Sequence, residues 1–207
     1  MKKYKLLLIS CLISLGTAVM LLFWYHGGAP LSSSEIEDYM ATIEAQTQKP
    51  GARHDFVALR EFLDTDDGKP VYTVNLYNFH AVADYPNGSQ FEGTGLQAYE
   101  RFSDVMIPLM IGRGSHPVYG SSWADPTNSQ WDRIVIVKYR SRRDLVDLFA
   151  TDAFAEASLH KWASLRDHQR MIVQAIHLPD GMLVIPLLSL FLGLLVYFVG
   201  TLIRRPK

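Results

Sequence analysis

The stretch Trp131–Phe154, WDRIVIVKYRSRRDLVDLFATDAF, restricts the fold more than any other part of this chain. Ile134-Val135-Ile136-Val137 is an apolar run of strand length, too short for a helix of its own and suited to burial on both faces. The period then changes. Ser141-Arg142-Arg143-Asp144 has the form of a capping box, in which the Ser141 hydroxyl accepts an amide of the first helical turn. Leu145, Leu148 and Phe149 follow at helical spacing, with Lys138, Arg140, Asp144 and Asp147 left on wet positions. A strand therefore feeds a helix through a very short joint.

Two charge-free apolar stretches flank the middle of the chain. Leu6–Tyr25 would run roughly 30 Å as a helix, the thickness of a bilayer's hydrocarbon core. We read it as an uncleaved anchor rather than a cleaved secretory signal, since no A-x-A site follows it. A lipoprotein signal, suggested by Leu8-Ile9-Ser10-Cys11, is the other rival, but the chain stays apolar after Cys11. Met182–Ile203 is the second expected span, with Pro186 in its first turn. Lys2, Lys3 and Lys5 precede the first stretch and Arg204, Arg205 and Lys207 follow the second. By the positive-inside rule both termini are expected in the cytoplasm. The expected location is the inner (plasma) membrane, crossed twice, with the central domain periplasmic or extracellular. From His26 to Pro179 the chain holds 14 Lys+Arg against 20 Asp+Glu, a net of −6, which argues against a nucleic-acid partner. Cys11 is the single cysteine, so no intrachain disulfide can form.

Taken in order, the chain divides into a transmembrane anchor (1–27), a helical stalk or collar (28–69), an α+β domain (70–179) and a transmembrane helix with a basic tail (180–207). Within the stalk, the Ser34-Glu35-Ile36-Glu37 capping box opens a helix over 34–48, and Phe56, Leu59, Phe62 and Leu63 space a second short one. The domain reads as strand 71–79, a helix opened by Thr94 or Gly95 with Pro108 kinking it or marking its last turn, strand 117–123, a turn at Asp125-Pro126-Thr127-Asn128, strand 131–139, helix 142–160 with a break near Thr151, and strand 171–178. This β-α-β-β-α-β order predicts a ferredoxin-like fold, with helices on one face of a four-stranded antiparallel sheet. The alternation in the first strand puts Thr73, Asn75 and Tyr77 on the bare face and Tyr72, Val74 and Leu76 toward the helices. A bare sheet face of this size invites a second copy.

Pro70-Val71, Asn75-Leu76, Tyr85-Pro86-Asn87-Gly88, Gly95-Leu96-Gln97-Ala98-Tyr99-Glu100-Arg101-Phe102, Pro108-Leu109, Trp131-Asp132, Lys138-Tyr139-Arg140-Ser141-Arg142 and Asp152-Ala153-Phe154 with His160-Lys161 resemble the DUF1330 family of the dimeric α+β barrel superfamily. The resemblance covers about Pro70 to His177 and implies a homodimer whose sheets form a barrel. That superfamily includes antibiotic-biosynthesis monooxygenases and haem-degrading enzymes. Laid on the haem-degrading pattern, Asn75 matches the strand-one Asn, while Leu148 stands at the Trp position and Ser158 at the His position, with His160 two residues on.

No histidine stands in H-x-H, H-x-x-x-H or H-E-x-x-H spacing, so no metal site is expected. Nor does a G-x-S-x-G nucleophile elbow occur, and Gly112-Arg113-Gly114-Ser115 precedes a strand, where it cannot cradle a phosphate as a P-loop does. The candidate ligand-binding residues are Asn75, Tyr77, Tyr119, Trp123, Tyr139 and His160. Each has a bland reading as well: a satisfied strand amide for Asn75, core or interface aromatics for the tyrosines and Trp123, and a cation at a helix C-terminus for His160. The loop Ala81–Gly93 is either a lid or a plain linker. The expected function is a membrane-anchored, dimeric small-molecule-binding or accessory module, its partners being the bilayer, a second copy and a membrane complex. The alternative is a cofactor-independent or haem-using monooxygenase acting on a small apolar or aromatic compound. No cofactor is expected for the binding module; haem enters only through the superfamily resemblance.

Overall fold

A computed structural model of the chain describes residues 2–25, 27–49, 51–121, 129–174 and 181–203, with side chains over 8–22, 27–49, 51–121, 129–174, 185 and 187–199. Residues 1–174 form one compact unit and 175–207 another. The first holds α1 (Lys2–Tyr25), α2 (Ser33–Ala45), α3 (Phe56–Asp64), β1 (Val71–Phe79), α4 (Gly95–Ile111), β2 (His116–Gly120), β3 (Arg133–Tyr139), α5 (Arg142–Phe149), α6 (Asp152–Ser164) and β4 (Leu165–Val173). The second holds α7 (Gly181–Ile203).

Local chemistry sets these boundaries. Ser32, not Ser34, caps α2, its side chain accepting from Glu35 N while the Glu35 carboxylate takes the Ser32 amide. Thr94 and Gln97 form the same reciprocal pair at the start of α4, and Pro108 sits in that helix's last turn. The Ser141 hydroxyl accepts from Asp144 N as the spacing predicts, and Asp144 also grips Arg140 at 2.9 Å. The helix expected over 142–160 is two helices: α5 stops at Phe149, and Thr151 restarts the chain as the cap of α6. That restart lets α6 leave α5's direction and run beside α4. The last strand begins at Leu165, earlier than expected, and the second covers His116–Gly120.

The sheet is antiparallel in the order β2-β3-β1-β4. Asn75 lies between Val135 of β3 and Arg170 of β4. Thr73, Asn75 and Tyr77 are buried, and the Tyr77 ring touches Tyr99 of α4 at 5.0 Å. These odd-numbered residues therefore face the helices, the opposite of the phase expected from polarity. Val74, Leu76, Ile134 and Ile136 take the other face, where Met171 and Val173 are 49% and 39% exposed. At one end of that face Tyr72 and Lys138 are buried.

α2 and α3 do not blanket the open face. They pack on the helix layer, where Ile36, Ile43, Leu59 and Leu63 join Leu145, Val146 and Leu148 in the core. Polar contacts fix them there: Arg143 reaches Glu35, Gln46 donates to Ala150 O at 2.8 Å, and Arg142 lies over the Phe62 ring at 4.8 Å.

Two expectations are corrected. Among the described residues the chain is α+β with a four-stranded antiparallel sheet and seven helices, not a ferredoxin-like domain with two helices held between two transmembrane spans. Among the described residues, no helix is long and apolar enough to cross a membrane. The two-pass location in the inner (plasma) membrane, with its cytoplasmic termini, rested on those spans and falls with them. Asp125-Pro126-Thr127-Asn128, Trp123 and the basic tail Arg204–Lys207 lie outside the described residues.

Candidate functional site

Between the helix-facing side of the sheet and the helices lie two adjoining chambers of about 90 and 230 Å³ that share Phe149, Phe154, Lys161 and Arg170. The smaller is walled by Thr73, Asn75 and Tyr77 of β1, by Tyr99, Phe102 and Met106 of α4, and by Val135, Val137 and Tyr139 of β3. The larger opens beyond β4, an edge strand, between Gly51, Arg53 and His54 on one side and Ser158, Trp162 and His168 on the other.

The fold places each group by register. On β1, Asn75 uses its whole amide: Nδ2 donates to Thr73 Oγ1 at 3.1 Å and to Val135 O at 3.2 Å. Its Oδ1 lies 3.3 Å from His168 Nε2, and since Oδ1 can only accept, Nε2 carries the proton. His168 stacks on Tyr77 with centroids 5.1 Å apart and planes at 24°. Burial, with Lys161 and Arg170 nearby, pushes the His168 pKa down to about 3, so the ring is neutral. Burial raises Tyr139 to about 12 and Tyr77 well above its ordinary value, which keeps both phenols protonated.

Lys161 is the unusual residue. It is 8% exposed, on the inward face of α6 one turn after Ala157 and Ser158. Its Nζ lies 5.0 Å from the Trp162 ring centroid and 5.8 Å from that of Phe102, and among the described residues it has neither a hydrogen bond nor an ion pair. Burial, reinforced by Arg170, pulls its pKa down to about 7. Ser158 Oγ, also on the wall, is buried with no partner. Trp162 donates from Nε1 to Gly51 O at 2.9 Å, and Arg53 covers its ring at 5.2 Å, so the 51–54 segment is pinned at the mouth. His54 packs on Phe149 at 5.1 Å, and burial lowers its pKa. No Asp or Glu lines either chamber among the described residues.

Of the residues singled out from sequence, Asn75, Tyr77 and Tyr139 come together here. Tyr119 is 53% exposed on β2 and lines neither chamber. Trp123 is outside the described residues. His160, next to Lys161 in sequence, faces the other way. Tyr85 OH is hydrogen-bonded to its Nδ1 at 2.8 Å, Arg101 donates to the same hydroxyl at 3.3 Å, and Phe91 meets the ring edge-on at 4.6 Å. The 81–93 loop is thus fastened to α6, also through Asp84 N to Ala163 O at 2.8 Å, and does not cover the cavity. Among the described residues, no cluster of three His, Cys, Asp or Glu could hold a metal ion.

Sequence reasoning missed Lys161, His168, Arg170 and Ser158. A signal for Lys161 was present: Phe154, Ser158 and Lys161 recur at i, i+4 and i+7, which puts a lone cation on the apolar stripe of a helix. Ser158 is the position that the superfamily resemblance aligned with a functional histidine.

No family model and no curated protein matches the chain. Two solved structures do resemble it. One is methylated RPA0582 protein, 22% identical, with a TM-score of 0.54 over 62% of this chain and 96% of that one. The other is RPA0582, a protein of unknown function from Rhodopseudomonas palustris, also 22% identical at a TM-score of 0.54, over 61% of this chain and 97% of that one. The likeness is one of fold. It shows the α+β core and leaves the chemistry to the residues above.

Proposed function

We propose that this chain is a small-molecule-binding module of the DUF1330-like kind, working as a homodimer, with its ligand held between sheet and helices. One observation carries the reading: the cavity wall holds an amine-bearing side chain and a hydroxyl, Lys161 and Ser158, buried with no hydrogen-bond or ion-pair partner among the described residues. Such groups cost stability where they stand, and a ligand that accepts from them removes the cost. A second copy is the proposed partner for the open sheet face, whose Val74, Leu76, Ile134 and Ile136 form a continuous apolar surface extended by Met171 and Val173.

One feature favours the catalytic alternative. An amine with a pKa near 7 can take a proton from a phenol or an acidic C–H at neutral pH, the opening step of cofactor-independent oxygenation. His160, the residue through which haem was considered, is turned to Tyr85 and Phe91.

The reading is tested by thermal unfolding of the full chain against small organic acids, phenols, neutral aromatics and haem. At least one class should raise the midpoint of the wild type and not of Ser158→Leu, which removes the hydroxyl and projects a bulkier apolar side chain into the larger chamber. A panel that moves neither protein, or both equally, would overturn it. Oxygen uptake with the stabilising compounds tests the catalytic alternative.

A further inference from the structure

We propose that the cavity is selective for a small organic monocarboxylate with a planar apolar body, its head accepting from Lys161, Ser158 and Arg170 and its body lying against Phe149 and Phe154. This deepens the binding reading above and depends on it. The donors and the walls come from different parts of the fold and meet at one place: α6 supplies Ser158 and Lys161, β4 supplies Arg170, and α5 with the start of α6 supplies the two aromatic rings. The side chains that face the chambers include three that offer N–H or O–H without a protein acceptor, and no carboxylate answers them among the described residues.

Charge count sets the valence. His54 and His168 stay neutral, so among the described residues the site holds one buried amine that can carry charge, Lys161, with the guanidinium groups of Arg53 and Arg170 at its exposed edge. One negative charge neutralises the buried ammonium and leaves Arg170 to orient the head. A dianion would have to be desolvated with half its charge facing aromatic walls. Size and polarity set the body. The smaller chamber, of about 90 Å³, is walled largely by aromatic and aliphatic side chains, and the larger, of about 230 Å³, sets Phe149, Phe154 and Trp162 among polar groups; that division suits a single ring with a polar head, not a nucleotide.

The experiment is calorimetric titration of the full chain with benzoate, its neutral isostere benzamide, and inorganic phosphate. Benzoate is expected to bind at least ~10-fold more tightly than benzamide, with phosphate unable to compete at equal concentration. Lys161→Met should weaken benzoate by ~10-fold or more and leave benzamide within ~2-fold of wild type, with Arg170→Gln intermediate. Far-UV circular dichroism and a thermal midpoint at or above wild type certify that the Met variant is folded. Benzamide binding as tightly as benzoate would overturn the anion inference while leaving the binding module standing. Phosphate displacing benzoate would overturn the organic-acid part. If no probe binds, here or in the wider screen, this inference and the reading beneath it both fall.

Discussion

Lys161→Met should make the unliganded protein more stable, and the gain should depend on pH. The lysine's pKa is about 10.5 in an unfolded chain and is pulled to about 7 inside the cavity by burial and by Arg170. Folding thus favours the neutral amine, so the unfolded chain binds more protons between pH 7 and 10.5. Stability must rise with pH across that window. Below pH 7 the penalty is at its full size. At 1.36 kcal/mol per unit it is on the order of 2–5 kcal/mol once relaxation of the site is allowed for. Methionine has nearly the same shape and no charge, so it removes the penalty without leaving a hole. For a chain of this size the gain corresponds to roughly 5–15 °C in thermal midpoint. The assay is unfolding of wild type and variant by circular dichroism from pH 6 to pH 10. The gap should be widest at or below pH 7 and close toward pH 10. A variant that melts at or below wild type at pH 6.5, or a gap that does not narrow with pH, would show that Lys161 is neither desolvated nor unpaired.

Three further outcomes follow from other contacts. A methyl group at Gly51 would lie 2.2 Å from Ala155 O and 2.6 Å from Leu159 N, both backbone, so Gly51→Ala should cost about 1–3 kcal/mol in a denaturant titration and weaken ligand binding at the mouth it lines. Tyr85→Phe deletes the hydroxyl shared by His160 and Arg101, which should cost about 1–2 kcal/mol and speed amide exchange at Asp84, whose N–H is bonded to Ala163 O. His160 is held below its ordinary range by burial and by Arg101; folding favours its neutral form, so the clip should also loosen as pH falls below 6.5. Met171→Glu puts a charge on the exposed sheet face; the fold should tolerate it within about 0.5 kcal/mol, while light scattering should show the proposed dimer for wild type and a monomer for the variant.

The helices and strands were largely legible because they obey local rules. The Ser141 cap, the apolar run Ile134–Val137 and the restart at Thr151 are decided within a few residues, and the structure realises each of them. Where two local signals competed, the chain chose the one with more partners. Ser32 rather than Ser34 caps α2, because the Glu35 carboxylate reaches back to the Ser32 amide and its hydroxyl. The side on which α2 and α3 pack was not legible, since it depends on the long-range reach of Arg142 and Arg143 to Phe62, Thr65 and Glu35.

The wrong phase of β1 and the missed cations have one physical cause. Binary patterning assigns polar residues outward, so Thr73 and Asn75 pointed the strand the wrong way, and the same rule gave no reason to place Lys161 or Arg170 at a cavity. The rule assumes that the helix-facing side of a sheet is filled. Here it borders a cavity, so Thr73 and Asn75 face inward, bonded to each other, and Lys161 faces inward with no hydrogen-bond or ion-pair partner among the described residues. The opposite side of the sheet can then be the apolar one, with Val74, Leu76, Ile134 and Ile136. Local pattern and global fold disagree most at sites that trade stability for binding. The disagreement in this chain is concentrated on β1, α6 and β4, the elements that bound the chambers, so the residues that misled the sequence reading are those that mark the site.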